Sequence, residues 1–255
     1  LQIEAYGVLG ISPQITLSIA QDLYTNGWIS YPRTSSQKLP AAIGYKKILE
    51  KLKKRFSKEC DYLLSKEKLL PNEGAKTDAA HPAIYPTGEL PSRLEGRNLK
   101  LYELIVRRFF SVFGENATRE TLTITLNVSD ELFIAKGTRT KVKGWFELYG
   151  EFVRHEEEEF ILVKKGETVK VLSITLHDKE TQPPKRYTEA SLIKELEKEN
   201  LGTKATRSTV IQNLYDRHYI HEKSIQVTDL GMRTVDTLLK YCPEILDQAL
   251  TRAFE

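Results

Sequence analysis

Gly27-Trp28-Ile29-Ser30-Tyr31-Pro32-Arg33-Thr34-Ser35-Ser36 is the stretch on which the reading of this 255-residue chain turns. Trp28 to Tyr31 read as a short extended piece. Pro32 removes a backbone donor and disfavours the α conformation at Tyr31, so the tyrosine sits at a rigid bend. Arg33 comes two residues later, and in extended backbone residues i and i+2 point to the same side. Three hydroxyl side chains follow. A phenol is a weak nucleophile: with a pKa of about 10, only about one in a thousand is ionised at pH 7, a cost of about 4 kcal/mol. A neighbouring cation lowers that cost and offsets charge on a phosphodiester under attack. Taken alone, however, Tyr-Pro-Arg has no special meaning and reads better as a packed ring beside a surface arginine.

Upstream, Ser12-Pro13 with Ile15, Leu17, Ile19, Ala20, Leu23 and Tyr24 has helical spacing. Ser12 can cap, Pro13 suits the first helical position, and Gly27 stops the helix. Downstream, the Lys-rich residues 41–69 read as helical, with Ile43, Ile48, Leu49, Leu52 and Phe56 on one side. Residues 71–98 are broken by Gly and Pro around His81 and read as a loop-rich connection. Leu101 to Phe113 is an amphipathic helix pattern, with Arg107 and Arg108 expected on its solvated side.

The pattern then changes to period two. Thr121–Leu126, Leu132–Ala135 and Thr168–Leu176 alternate, and Trp145–Tyr149 reads as a further strand. An antiparallel β module is expected over 117–183, with the acidic run Glu156–Glu159 as a solvated turn. Helical patterns return at Ala190–Lys198 and Thr206–Arg217. Tyr219-Ile220 and Ile225-Gln226-Val227 could pair as a small wing, after which Thr228 can cap a helix running to Tyr241. Helix, helix, wing, helix is the order of a winged-helix-like module.

Composition narrows the classes. Apolar residues are 40 % and charged residues 29 %, as in ordinary globular proteins. No run of about 18 apolar residues exists, so no membrane span is expected. Cys60 and Cys242 are the only cysteines, which excludes a disulfide scaffold and a four-cysteine zinc site. His155, His177, His218 and His221 show no metal-ligand spacing either, so no metal is assigned to this chain. The net charge is +3, and the basic excess lies in residues 1–116, with 17 Lys+Arg against 12 Asp+Glu. That allows a polyanionic partner without requiring one.

The central decapeptide resembles the active-site motif of type IA DNA topoisomerases, a strand of the form G-[LW]-I-[ST]-Y-x-R-T-x-S that carries a nucleophilic tyrosine. The resemblance extends outward in family order. Leu17-Ser-Ile-Ala-Gln-Asp-Leu-Tyr24 is similar to the helix before that tyrosine. Ala80-His-Pro-Ala-Ile-Tyr-Pro-Thr87 resembles the family's A-H-x-A-I-x-P-T motif, and Leu101–Phe109 the helix after it. Glu189–Glu197, Gly202–Thr209 and Asp216–Ile220 resemble the late block. The Ser35–Pro40 continuation and the His81-Pro82 pair look most like the archaeal branch. Two departures stand out. Many relatives have Asp where Ser35 stands and Glu where Pro82 stands. The family's amino-terminal lobe, with its Asp-x-Asp-x-Glu set, has no counterpart here.

The resemblance implies an α+β multidomain fold. Residues 1–116 would form the gate domain with the nucleophile, 117–183 a β-rich arch, and 184–255 a truncated winged-helix-like domain that holds single-stranded DNA. It implies that Tyr31 cleaves one DNA strand through a 5′-phosphotyrosine link and that Arg33 stabilises the scissile phosphate. His81, Lys204, Thr206, Arg207 and Arg217 would contact DNA, with Thr206 also readable as a plain helix cap. Magnesium would be bound by the missing amino-terminal lobe, not by this chain. A monomeric, cytoplasmic, nucleoid-associated parent is expected, with the fragment alone inactive. Two other readings stay open: a non-catalytic winged-helix nucleic-acid-binding module, and the topoisomerase half of a reverse gyrase. A tyrosine recombinase is disfavoured because its tyrosine follows its Arg and His residues, whereas Tyr31 precedes His81.

Overall fold

A computed structural model describes residues 1–158 and 163–254. The Ser12-Pro13 signal opens a helix as expected. After α1 (Gln2–Leu9), α2 covers Pro13–Thr25, with the Ser12 side chain accepting from the Ile15 amide. Gly27 turns the chain out of α2 at φ +74, a conformation that costs glycine little. The Lys-rich stretch is two helices rather than one: α3 (Tyr45–Leu52) and α4 (Ser57–Leu64). The break falls where Phe56 leaves helical geometry (φ −123, ψ 52) and buries its ring against Phe110. Helix α5 (Gly96–Ser111) supplies the central face, with Leu101, Tyr102, Leu104, Ile105, Val106, Phe109 and Phe110 buried. These side chains recur at helical spacing, which explains both the helix and its burial. Leu23 from α2, Ile29, Leu49 and Leu52 from α3, and Cys60 and Leu63 from α4 join the same core.

The β region is smaller than its pattern. Strands β1 (Thr118–Val128) and β2 (Glu131–Val142) form one antiparallel hairpin, in register from Arg119↔Thr140 to Val128↔Glu131. Trp145–Tyr149 is not a strand. It is the short helix α6, which buries Leu148 and Tyr149 in the α5 core, where Phe152 follows them. Aromatic residues favour strands only where a sheet offers them a face, and here the available face is a helix. Residues 168–176 form no strand either. Val169, Val171, Leu172, Ile174 and Leu176 are exposed, with no partner strand among the described residues. Glu156–Glu158 do not form a solvated turn. They run beside β2: the Thr138 amide donates to Glu158, the Thr140 amide to Glu157, and Arg119 to the Glu156 carbonyl. The Thr140 hydroxyl first, and then its amide, hold the Glu157 carboxyl below the usual carboxylate range. Glu159 lies outside the described residues.

The last segment follows its sequence signals closely. Helix α7 (Glu189–Lys198) starts at a reciprocal cap between Thr188 and Ser191. Helix α8 (Arg207–Asp216) leads into a two-stranded antiparallel ribbon, β3 (Ile220–His221) with β4 (Gln226–Val227). Thr228 caps α9 (Asp229–Tyr241) by accepting from the Gly231 amide at 3.0 Å. A final helix, α10, covers Gln248–Phe254. Among the described residues no helix is long and apolar enough to cross a membrane.

Candidate active site around Tyr31

Ile29 anchors the tyrosine-bearing segment by burying its side chain in the core, and Pro32 is buried on the other side of Tyr31. Backbone pairing then aligns this segment with residues 81–87. The Ser30 amide donates to the Tyr85 carbonyl (2.9 Å) and the Thr87 amide to the Trp28 carbonyl (3.0 Å). The Tyr85 amide donates to Ser30 Oγ at 2.9 Å, and an isolated bridge joins Ile29 to Pro86. Farther on, the Ala83 amide donates to the Lys38 carbonyl (2.8 Å), and Thr34 Oγ1 donates to the His81 carbonyl (3.3 Å). Two motifs 50 residues apart in the chain therefore form one pleated unit, whose short rigid pieces are set by Pro32, Pro82 and Pro86.

The pairing brings Tyr31 and His81 together, with ring centroids 4.5 Å apart and planes tilted by 44°. Tyr24, at the end of α2, meets the Tyr31 ring edge-on at 5.2 Å. The phenol ring thus lies between two rings, and the edge-on contact with Tyr24 is one that aromatic quadrupoles favour. The Tyr31 hydroxyl makes no hydrogen bond to another described residue, and the half-buried Arg33 guanidinium makes neither a hydrogen bond nor an ion pair with one. By contrast, Arg107 is not solvated: it pairs with Glu59 at 2.8 Å and lies over the Phe56 ring. Arg108 lies over the Tyr149 ring.

The late block reaches the same place. Lys204 pairs with Asp78 and donates to Ser35 Oγ at 3.3 Å. The Lys204 pair, aided by donation from the Ser35 amide, holds the Asp78 carboxyl far below the usual carboxylate range. Position 35 carries no acid of its own, yet its hydroxyl meets one from across the loop, Asp78, at 3.1 Å. Arg207 spends two nitrogens on its own turn, donating to the Leu201 (2.8 Å) and Gly202 (2.9 Å) carbonyls. Thr206 stands at the N-cap of α8 but does not cap it. Its hydroxyl faces back, accepting from the Thr203 amide at 2.9 Å. Arg217 is exposed at the other end of α8. A cleft of about 760 Å³ opens between the Tyr31 loop and the late block, lined in part by Thr34, Ser35, Lys76, Lys204 and Arg207. Tyr31 and His81 do not line it. Among the described residues no three His, Cys, Asp or Glu side chains gather in a metal-holding arrangement.

A family model described as DNA topoisomerase matches residues 1–255. This chain belongs to the type IA DNA topoisomerase family. It is 50 % identical over its whole length to DNA topoisomerase 1 of Methanothermobacter thermautotrophicus, and 48 % identical to that of Pyrococcus horikoshii. It spans 35 % and 38 % of those two proteins. The structure is similar to full-length topoisomerase I from Thermotoga maritima, with a TM-score of 0.75 at 27 % identity over 99 % of this chain and 43 % of that one. The first two of these relatives are archaeal, the branch that the sequence resemblance implied.

Tyr24 and Asp78 are the site residues that sequence reasoning missed. Tyr24 was legible only as part of a helix. Asp78 stands three residues before His81, a spacing at which an Asp can accept from following backbone amides and fix a turn.

Proposed function

We propose that Tyr31 is the nucleophile of a topoisomerase that cuts and reseals one DNA strand. The observation that carries this reading is the pairing of residues 27–38 with 81–87, which sets Tyr31 against His81 beside an arginine without a hydrogen bond or ion pair among the described residues. In the cutting step the Tyr31 oxygen forms a bond to phosphorus and the P–O3′ bond breaks. The phenolic proton is lost and the leaving 3′ oxygen gains one. The 5′ phosphate stays on Tyr31, and attack by the 3′ hydroxyl reverses each change. One phosphodiester is exchanged for another, so the cycle needs no ATP, and strand passage between the two steps relaxes negative supercoils. Arg33 faces the scissile phosphate and stabilises charge on its oxygens in the transition state. His81 donates to the DNA backbone near the cut.

In this reading residues 1–116 serve as the gate, 117–183 as the arch, and 184–255 as a winged-helix-like holder of single-stranded DNA. Helix α6 packs back onto the gate core, which makes a firm joint where the arch begins. Lys204, Thr206 and Arg217 contact phosphates, and Arg207 supports them by holding the turn before α8. Magnesium assists catalysis in this family. The described residues do not assemble a site for it, so we place that site, and the activity of the whole enzyme, with the length of the relatives that this chain does not span. The parent works as a monomer on chromosomal DNA in the cytoplasm.

The test is covalent trapping with a labelled single-stranded oligonucleotide and magnesium, using the full-length parent and this chain in parallel. A DNA-linked band from the parent that disappears in Tyr31→Phe, with oligonucleotide binding retained, is the expected result. Salt-sensitive binding without any band from the parent would instead favour a non-catalytic nucleic-acid-binding module.

A further inference from the structure

Asp78 collects partners from three parts of the chain. Its Oδ1 accepts from the amides of Ala80 (3.1 Å) and His81 (3.3 Å), closing the turn that carries His81. Its Oδ2 accepts from the amide (3.2 Å) and hydroxyl (3.1 Å) of Ser35, four residues beyond Tyr31. The same oxygen pairs with the Lys204 ammonium, on the turn that leads into α8. Lys204 in turn donates to Ser35 Oγ, which closes a triangle of Asp78, Ser35 and Lys204. Two further contacts brace the same joint: Lys76 pairs with Glu197 of α7, and Gln2 Nε2 donates to the Lys204 carbonyl.

This arrangement differs from an ordinary surface ion pair. The Asp78 side chain is only 12 % exposed and its orientation is already set by three backbone amides. A lysine has a flexible four-carbon stem and a point charge, so it gains direction only from what it pairs with. Ser35 and His81 flank Tyr31 from opposite motifs, and Asp78 touches both.

We propose that Asp78 is a positioning residue of the Tyr31 centre, holding the Lys204 ammonium against Ser35 so that the α8 turn and the nucleophile segment meet a DNA backbone as one unit. The inference rests on the reading of Tyr31 as the nucleophile. Asp78 contacts no reacting atom; it acts through Ser35 and Lys204. Preset charge near reacting groups acts on the rate of the chemical step more than on affinity, because displacement by even 1 Å from productive geometry is costly.

Asp78→Asn is the informative variant, because its amide oxygen can still accept from Ala80 and His81 while the charge toward Ser35 and Lys204 is lost. Single-turnover cleavage of a saturating single-stranded oligonucleotide would be measured in the full-length parent, in Asp78→Asn, in Lys204→Gln and in the double variant. Oligonucleotide affinity and hydrogen exchange at the Ala80 and His81 amides would be followed alongside. We expect each single change to slow cleavage about tenfold, with affinity held within about threefold in Asp78→Asn and lowered in Lys204→Gln, which also removes a phosphate contact. The double variant should be no slower than the slower single, as for two members of one unit. Unchanged exchange at Ala80 and His81 would show that the turn is intact, and Lys204→Arg should recover part of the rate. Cleavage by Asp78→Asn within about twofold of the parent, or effects that multiply in the double variant, would overturn the inference while leaving Tyr31 as the nucleophile. A parent that forms no phosphotyrosine link overturns the reading beneath the inference and the inference with it.

Discussion

At Arg33, a guanidinium without an ion pair among the described residues stands two positions from a phenol held between two rings. An unpaired, half-buried cation carries a desolvation cost that a structural role would normally offset with a carboxylate. Arg107 shows the structural alternative, spending its charge on Glu59. Under the proposed reading Arg33 meets an anion from outside the chain. Arg33→Lys keeps the charge but loses the planar fork that meets two phosphate oxygens at once. We expect that variant to bind single-stranded DNA within about threefold of the parent and to cleave about 10- to 100-fold more slowly. Full cleavage activity in Arg33→Lys, by the trapping assay, would show that a point charge suffices. Tyr31, Arg33 and His81 could be picked out as candidates because the local runs around them resemble family motifs. Asp78 could not, because its meaning comes from Ser35 and Lys204, which lie 43 and 126 residues away.

Helices with explicit start signals were readable to within about two residues of their ends. The Ser12 and Thr228 caps accept the backbone donor that their positions imply, whereas Thr206 does not cap α8. Strands were less legible, for a physical reason. Alternation states which face a segment could bury, but the partner decides whether it does. Thr121–Leu126 found β2, residues 168–176 found no partner among the described residues, and Trp145–Tyr149 was claimed by α5 as a helix. Gly231 carries a prediction at this scale. It lies in the first turn of α9, where alanine would ordinarily favour a helix by about 1 kcal/mol. An added Cβ, however, would fall inside contact distance of the Tyr219 carbonyl oxygen and 2.9 Å from Val227 Cγ1. Backbone on one side leaves no flexible side chain to yield. Gly231→Ala is expected to destabilise the ribbon and its helix by about 1–3 kcal/mol, as overpacking does. Urea titration followed by circular dichroism checks this; a higher midpoint in the variant would show that α9 is not packed so closely on the ribbon.

In the whole molecule, the loop at 71–88 is where the Tyr31 unit and the late helices are tied together by charge. Asp78 pairs with Lys204 and Glu197 with Lys76, and both carboxyls are held below their ordinary values, chiefly by these lysines. A carboxyl whose pKa is depressed by folding contributes stability that is fully present above its unfolded value. That contribution is lost as pH falls through the lower, folded value. With unfolded carboxylates near about 4, the tie is intact at pH 5 and above and weakens steadily below about pH 4. Glu89, Glu115 and Glu157 are also held below their ordinary values and add to the acid slope of both proteins alike. The parent chain should therefore lose more thermal stability between pH 5 and pH 2 than Asp78→Asn, which lacks one of the depressed carboxyls. Melting temperatures of both proteins across that range, at low and high salt, measure the difference. It should narrow only slightly in salt, because the Asp78 side chain is largely screened from solvent by Ser35, Ala80 and His81. Parallel acid curves for the two proteins would mean that Asp78 gains nothing from folding, and that the joint between the Tyr31 segment and the late helices does not depend on its charge.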